Sequence, residues 1–193
     1  MYAFWKLWFL RNPDRKIPKG EDLIICPADG KVIEVIPFNK TKITFNKGNK
    51  RIFGQIRTLT KDIATEGYMI SIFMNPFDVH YNRAPISGDI KSVMHKDGKL
   101  LAVNSVSAGL ENEKTETIIQ GKKIKIKVIQ IAGFLARRIE TFVQPKDKVK
   151  KGDVYGLINL GSQVTIITPR NVEIEVKKGQ RVKAGETIIG KIK

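Results

Sequence analysis

Short runs of β-branched and other apolar residues, cut again and again by glycine-centred turns, restrict this chain more than any other feature in it. Leu23-Ile24-Ile25-Cys26 runs into the turn Pro27-Ala28-Asp29-Gly30, and Lys31 to Ile36 follows with partial alternation. Met69 to Met74 is apolar throughout except for Ser71, the pattern of a strand buried on both faces. Ile118-Ile119 and Ile124 to Ile131, with lysines interleaved, predict a hairpin closed by Gln120-Gly121-Lys122. Val154 to Leu160 and Val164 to Ile167 are two further strands. Pro13 and Pro18 bracket an extended connector, because proline fixes φ and disfavours helix before it. A short helix is expected near Phe134 to Ile139. The implied fold is mainly β, a sandwich or partly open barrel with short helices.

Two internal similarities accompany these runs. Val149-Lys-Lys-Gly152 recurs as Val176-Lys-Lys-Gly179, each before an apolar strand, and Pro27-Ala-Asp-Gly30 is matched in style by Pro85-Ile-Ser-Gly88. Lipoyl and biotinyl carrier domains share the first pattern, but they present a modified lysine on a turn, and no Met-Lys pair occurs at a turn here.

Charge and residue usage narrow the function. With 35 Lys and Arg against 19 Asp and Glu, the chain carries +16 and should be drawn to an anionic partner. A single cysteine, Cys26, rules out an intrachain disulfide, and nothing points to an oxidising compartment. Two histidines, His80 and His95, leave little room for a multi-histidine metal site. The first ten residues hold Tyr2, Phe4, Trp5, Trp8 and Phe9, and Arg11, Arg15, Lys16 and Lys19 follow. The stretch is too short to span a bilayer, which needs about 20 apolar residues. It also lacks the small-residue cleavage site of a signal peptide. Aromatics beside a basic run favour a membrane-associating segment over 1–20, ahead of a domain over 21–193. A hydrophobic strap on the domain is the alternative. Nucleic-acid binding would call for aromatics interleaved with basic residues on strands, which the middle of the chain lacks.

Three polar positions lie at the ends of apolar runs. Asp29 occupies an Asp-Gly turn. His80 follows Asp78 by two residues, close enough for a carboxylate to orient an imidazole suited to proton transfer. Gly161-Ser162 lies between two strand-like runs and puts a hydroxyl beside an unshielded glycine carbonyl. Arg137 and Arg138 offer guanidinium forks that suit phosphate oxygens.

Phe9 to Pro18, Pro27-Ala-Asp-Gly30, Asn75 to Gly88, Glu111-Asn-Glu113, Gln130-Ile-Ala-Gly133, Ala136-Arg-Arg-Ile139, Leu160-Gly-Ser162 and Lys183 to Thr187 together resemble the phosphatidylserine decarboxylase family, in its short archaeal form. The resemblance runs in order along nearly the whole chain. It implies a proenzyme that cuts itself between Gly161 and Ser162, into a large chain over 1–161 and a small chain over 162–193. Ser162 would become a pyruvoyl group that forms a Schiff base with the substrate amine, with no metal or diffusible cofactor. It further implies that Asp29 assists self-cleavage and that His80 moves protons. Better-known members carry a second histidine three residues after the first; Arg83 stands there, and is assigned with Arg137 and Arg138 to substrate binding. Lys114 stands where the family often has arginine, and Cys26 where it often has serine.

The implied substrate is a serine-headed phospholipid, diacyl or archaeal ether, met peripherally on the cytoplasmic side of the cell membrane. The small chain carries seven Lys and Arg and three Asp and Glu, or +4, leaving +12 on the large chain. Two basic chains must therefore be held together by sheet pairing and core burial. The alternative is a non-enzymatic basic β module that binds nucleic acid or acts as a carrier.

Overall fold

The computed structural model describes residues 8–39, 58–99, 111–133, 138–159 and 162–193. These residues form fourteen strands. In chain order they are β1 Leu23–Ile25, β2 Gly30–Asn39, β3 Glu66–Met74, β4 Tyr81–Arg83, β5 Gly88–Lys96, β6 Lys114–Gln120 and β7 Lys125–Ala132. They continue as β8 Ile139–Thr141, β9 Lys148–Val149, β10 Val154–Ile158, β11 Ser162–Pro169, β12 Val172–Ile174, β13 Arg181–Val182 and β14 Ile188–Ile192. Eight strands make one curled half-barrel sheet in the order β13-β2-β3-β11-β7-β6-β5-β9. Two three-stranded sheets, β1-β14-β12 and β4-β10-β8, complete the fold.

The mainly β expectation holds, and the predicted β6–β7 hairpin closes with Gly121 N–H donating to Ile124 O at 2.9 Å. Among the described residues the expected short helices are almost absent. Little beyond a helical turn at 58–60 is present among the described residues, and none of their helices is long and apolar enough to cross a membrane. Ile139, the end of the expected helix, begins β8, and residues 134–137 lie outside the described set.

The strand β11 is the centre of the sheet, paired antiparallel with β3 on one side and β7 on the other. Its inward Val164 and Ile166 join Ile70, Ile72, Met74 and Val128 in the main core. Ile167 packs on the opposite face with Met69, Ile129, Phe38 and Leu59. Burial on both faces is why this stretch reads as a continuous apolar run. Each fully buried Val or Ile contributes about 1.5–3 kcal/mol, so β11 is anchored without help from charge.

The molecule is internally duplicated. Gly185 N–H donates to Cys26 O, and Gly152 N–H to Ala84 O, both at 2.9 Å. Val32 and Gln180 are linked through Val32 N–H and Gln180 O as Ile90 and Asp147 are through Ile90 N–H and Asp147 O. Ala184 N–H donates to the Asp29 carboxylate at 2.7 Å, and Lys151 N–H to the Ser87 hydroxyl at 2.8 Å. Bulges fall at matching places, between Val32 and Glu34 in β2 and between Ile90 and Ser92 in β5. The strands β1, β2, β3, β11, β12, β13 and β14 thus form one copy, and β4 to β10 the other, inserted between β3 and β11.

This corrects the register of one sequence similarity. The 149–152 and 176–179 segments match in letters but not in place. Gly179 (φ 89°) corresponds to Lys146 (φ 83°), and Gly185 (φ 80°) to Gly152 (φ 92°). Both turns need a positive φ, which glycine adopts freely. One of the four positions holds a lysine, so matching glycines alone slips the alignment. The pairing of Pro27–Gly30 with Pro85–Gly88 is in true register.

Candidate active site

Ser162 opens β11, and its placement follows from the strand it begins. It lies opposite Met74 on β3 and Ala132 on β7 and is fully buried. Its hydroxyl meets the Met74 thioether at 3.4 Å, a weak acceptor. The Met74 sulfur also faces Asn82 Nδ2 at 3.9 Å. Asn82 Oδ1 accepts from Gln130 Nε2 at 2.8 Å, and Gln130 Oε1 from the Thr141 hydroxyl at 3.3 Å. A row of buried polar side chains therefore runs from the serine into the second copy. The Glu111-Asn112-Glu113 motif supports the neighbouring strand end: Asn112 Nδ2 donates to Ala132 O at 2.8 Å, and Glu113 O accepts from Ala132 N–H at 3.0 Å.

His80 comes from the loop between β3 and β4. That loop turns because Asp78 Oδ2 accepts from Asn75 N–H and Asn75 Oδ1 accepts from Phe77 N–H. The sequence suggested that the Asp78 carboxylate orients His80. Instead, the Asp78 backbone carbonyl lies 2.9 Å from His80 Nδ1, while the carboxylate pairs with Arg181. A carbonyl only accepts, so Nδ1 carries the hydrogen and Nε2 keeps its lone pair. Nε2 is buried and has no hydrogen-bond partner among the described residues. The Phe9 ring stacks at 4.2 Å from the imidazole. Burial, above all, pushes the His80 pKa down to about 4, against smaller opposing effects of the Asp78 hydrogen bond and charge. His80 is thus a neutral base at physiological pH. Ile158 N–H donates to His80 O at 3.3 Å, which ties the histidine to the strand that leads into Ser162.

Asp29 begins the turn into β2 and accepts from Arg15 Nη2 through both oxygens, at 3.0 and 2.9 Å. With the bond from Ala184, it joins the connector, the β2 turn and the C-terminal segment. Among the described residues its hydrogen bonds go to these groups and not to His80. Arg83 donates from Nη1 to Gly152 O at 2.9 Å and from Nη2 to Asn12 Oδ1 and Pro13 O at 2.6 and 3.2 Å. The residue assigned to substrate is thereby committed to the connector. Arg138 is exposed, and its carbonyl accepts from Asn159 N–H at 3.1 Å, three residues before Ser162. Gly161 and Arg137 lie outside the described residues. Cys26 is buried, its thiol donating to Ala28 O and pushed up to about 12 by burial, so it acts as filler and not as a nucleophile.

The membrane-associating element expected over 1–20 lies partly outside the described residues, which begin at Trp8 and so leave out Tyr2, Phe4 and Trp5. From Phe9 onward it behaves as a strap. Phe9 is buried on His80, Arg15 neutralises Asp29, and Lys16 N–H reaches Glu186 at 3.4 Å. An aromatic ring that desolvates an imidazole and a cation that meets a buried carboxylate both gain more on the domain than in water. Trp8 and Phe77 remain 47% and 65% exposed, and Arg11 bridges them, donating to Trp8 O and Phe77 O.

Sequence reading missed Phe9, Arg15, Asn82, Gln130 and Arg181 as parts of the site. Phe9 and Arg15 lie in the Phe9 to Pro18 segment that carries the resemblance, but its aromatic and basic composition points to a membrane-associating tail. Asn82 and Gln130 also lie in motifs that carry the resemblance, Asn75 to Gly88 and Gln130 to Gly133, but their partners sit on other elements and nothing local singles them out.

The phosphatidylserine decarboxylase family model matches residues 3–190. The phosphatidylserine decarboxylase proenzyme of Carboxydothermus hydrogenoformans is 40% identical over 97% of this chain and 79% of its own length. The putative archaetidylserine decarboxylase proenzymes of Methanothermobacter thermautotrophicus and Methanocaldococcus jannaschii are 41% and 38% identical, each over 95% of this chain. Those alignments cover 78% and 87% of the two relatives. With the family match spanning almost every residue that builds the site, this chain belongs to the phosphatidylserine decarboxylase family.

Proposed function

We propose that this protein is a proenzyme that cuts itself between Gly161 and Ser162 and then decarboxylates a serine-headed phospholipid to its ethanolamine counterpart. The observation that carries the reading is a pair of uncommitted groups. Among the described residues the Ser162 hydroxyl has only a thioether beside it, and the buried His80 Nε2 has no hydrogen-bond partner. A buried polar atom left unpaired costs about 1–3 kcal/mol, so its retention suits a proton acceptor better than a packing residue. A non-enzymatic basic module leaves that imidazole unexplained.

In self-cleavage, the Ser162 oxygen forms a bond to the Gly161 carbonyl carbon as its proton leaves to His80 Nε2. The Gly161–Ser162 C–N bond breaks as that proton passes on to the freed amine of residue 162, leaving an ester. Loss of the Cα proton then expels the Gly161 carboxylate and leaves dehydroalanine, whose imine tautomer adds water and releases ammonia to give the ketone. Ser162 fits as the precursor of a pyruvoyl group because its hydroxyl is buried, away from bulk water, and not held by a strong acceptor. That group, once formed at residue 162, supplies a carbonyl for the substrate amine and an electron sink when CO₂ departs. His80 is neutral at rest, so its Nε2 first takes the proton that the substrate ammonium gives up on binding and then returns it to the substrate carbon once CO₂ has left. Asp29 acts by holding Arg15 and Ala184, so that the connector and the small chain stay against the β2 turn.

The membrane is reached peripherally. Exposed Trp8 and Phe77 flank the His80 loop, and the net charge of +16 favours an anionic surface. Diacyl and ether lipids share the head group on which these residues act.

Intact-mass measurement of the purified protein is expected to show two chains, the smaller starting at residue 162 with a carbonyl-bearing blocked end. Ser162→Ala should leave one folded chain with no activity. A single uncut chain with full decarboxylase activity would sink the reading.

A further inference from the structure

Duplication gives the catalytic region a counterpart. Exchanging the copies carries Asp29 onto Ser87, Ala184 onto Lys151, Met74 onto Gly121, Ile158 onto Ile192 and His80 onto Asp22, as the paired hydrogen bonds show. The counterpart is not filled in. It holds a cavity of about 230 Å³ whose apolar floor is Leu23, Ile86, Ile124 and Ile192. Its rim carries Lys19, Lys122, Lys123 and Lys151, with Glu21 the one carboxylate among the lining residues.

The lysines are mostly available. Lys122 pairs with Glu21 at 3.0 Å, but both side chains are largely exposed, so the pair adds little. Lys151 donates to Gly20 O at 2.6 Å. Lys19 and Lys123 are exposed and make no ion pair within hydrogen-bond reach among the described residues, although the Lys123 charge is felt by the exposed Glu21 and Asp22 carboxylates. An apolar floor under a ring of ammonium groups does not suit a fully polar polyanion, which leaves the floor wet, nor a neutral lipid, which leaves the charges unused. It suits a molecule with an anionic phosphate head and an apolar stem.

We infer that this cavity is a second, non-catalytic site for an anionic phospholipid of the membrane surface, built on the same backbone as the catalytic region. It takes a lipid phosphate between Lys19 and Lys123 and the first carbons of the lipid on Leu23 and Ile124. It has neither hydroxyl nor imidazole at the positions of Ser162 and His80, so the lipid is held and not changed. The inference stands on the cavity and does not require the decarboxylase reading.

The test is binding of the purified protein to phosphatidylcholine vesicles with and without phosphatidylglycerol, a lipid without a serine head. Lys19→Gln with Lys123→Gln should weaken binding to the anionic vesicles about 25-fold, at about fivefold per lysine near a membrane surface. Lys61→Gln with Lys177→Gln removes the same charge from exposed positions outside the cavity and should change binding less than about threefold. Equal losses from the two double variants would overturn the site in favour of diffuse attraction. Displacement of wild-type protein from the vesicles by millimolar inorganic phosphate, against chloride at matched ionic strength, would overturn it in favour of a free-anion site. Because phosphatidylglycerol is not decarboxylated, a failure here leaves the catalytic reading untouched, and absent self-cleavage leaves this one untouched.

Discussion

In one copy of the duplicated fold, β3 and β11 lie side by side although the whole second copy separates them in sequence, and Ser162 opens β11 opposite Met74. In the other copy the matching strands β6 and β7 are joined directly, by a tight turn from Gly121 to Ile124. Around the first junction stand Asp29, His80 and Ser162; around the second stand Ser87, Asp22 and a ring of lysines. Backbone hydrogen bonds match from one region to the other, so the backbone is not what separates them. The strand β10 ends at Ile158 and β11 begins at Ser162, and the two do not pair with each other, so the proposed cut at Gly161–Ser162 parts no hairpin. A short hairpin offers no such bond. The duplication supplies a frame with two equivalent places, and side chains and connection length distinguish the candidate active site from its counterpart.

The largest expected effect comes from making the reactive region resemble its counterpart. Asp29→Ser imports the residue found at 87, whose hydroxyl still accepts an N–H as Ser87 does from Lys151. It leaves Arg15, whose side chain is 6% exposed, without its close carboxylate. Breaking a buried pair by removing one partner costs about 3–5 kcal/mol, and self-cleavage should slow with it. Thermal melting of the uncut Ser162→Ala background, with and without Asp29→Ser, separates the stability loss from the cleavage defect. Unchanged melting would mean that the ion pair holds nothing.

Next in size is the pH response of the histidine that the counterpart lacks. His80 titrates near 4 in the folded protein and near 6.5 when unfolded. Between those values the unfolded chain binds the extra proton. Stability from this group is therefore complete above about pH 6.5 and falls as pH drops toward 4, by about 3 kcal/mol in all. His80→Phe should flatten that part of the melting-temperature profile between pH 7 and pH 4.5. A profile that keeps its full slope in the variant would assign the acid sensitivity elsewhere.

The smallest effect probes the equivalence of the two turns. Lys146→Gly should stabilise by about 0.5–1 kcal/mol, because a positive φ strains lysine and not glycine. Gly179→Lys should destabilise by about 1 kcal/mol for the same reason. Cβ of residue 179 meets open space, so sterics do not confuse the result. Opposite signs in the two melts sharpen the register; equal signs would break it.

Much of the fold was legible because burial on both faces leaves a readable trace. The runs 69–74 and 164–167 proved to be β3 and the core of β11. Lys127 shows the limit. It is one of the lysines interleaved in the 124–131 run, yet it is buried, with Glu116 at 3.0 Å and Leu59 O at 2.8 Å. Its cover comes from residues almost 70 positions away, and no local pattern announces such a neighbour. Likewise, Asp78 stands two residues from His80 in sequence, but the turn at Asn75 claims its carboxylate and leaves the carbonyl to face the ring.

Residue chemistry and order along the chain were enough to establish the β class, the family, and Ser162, His80 and Asp29 as the residues to examine. They are local properties: strand alternation, turn composition and motif spacing need only neighbours in sequence. Only the tertiary structure decided that the fold is two interleaved copies, that Phe9 and Arg15 complete the site, and that a lysine-rimmed twin of the site exists. Each of these depends on groups brought together across the sheet, where hydrogen-bond geometry and burial select partners that sequence distance conceals.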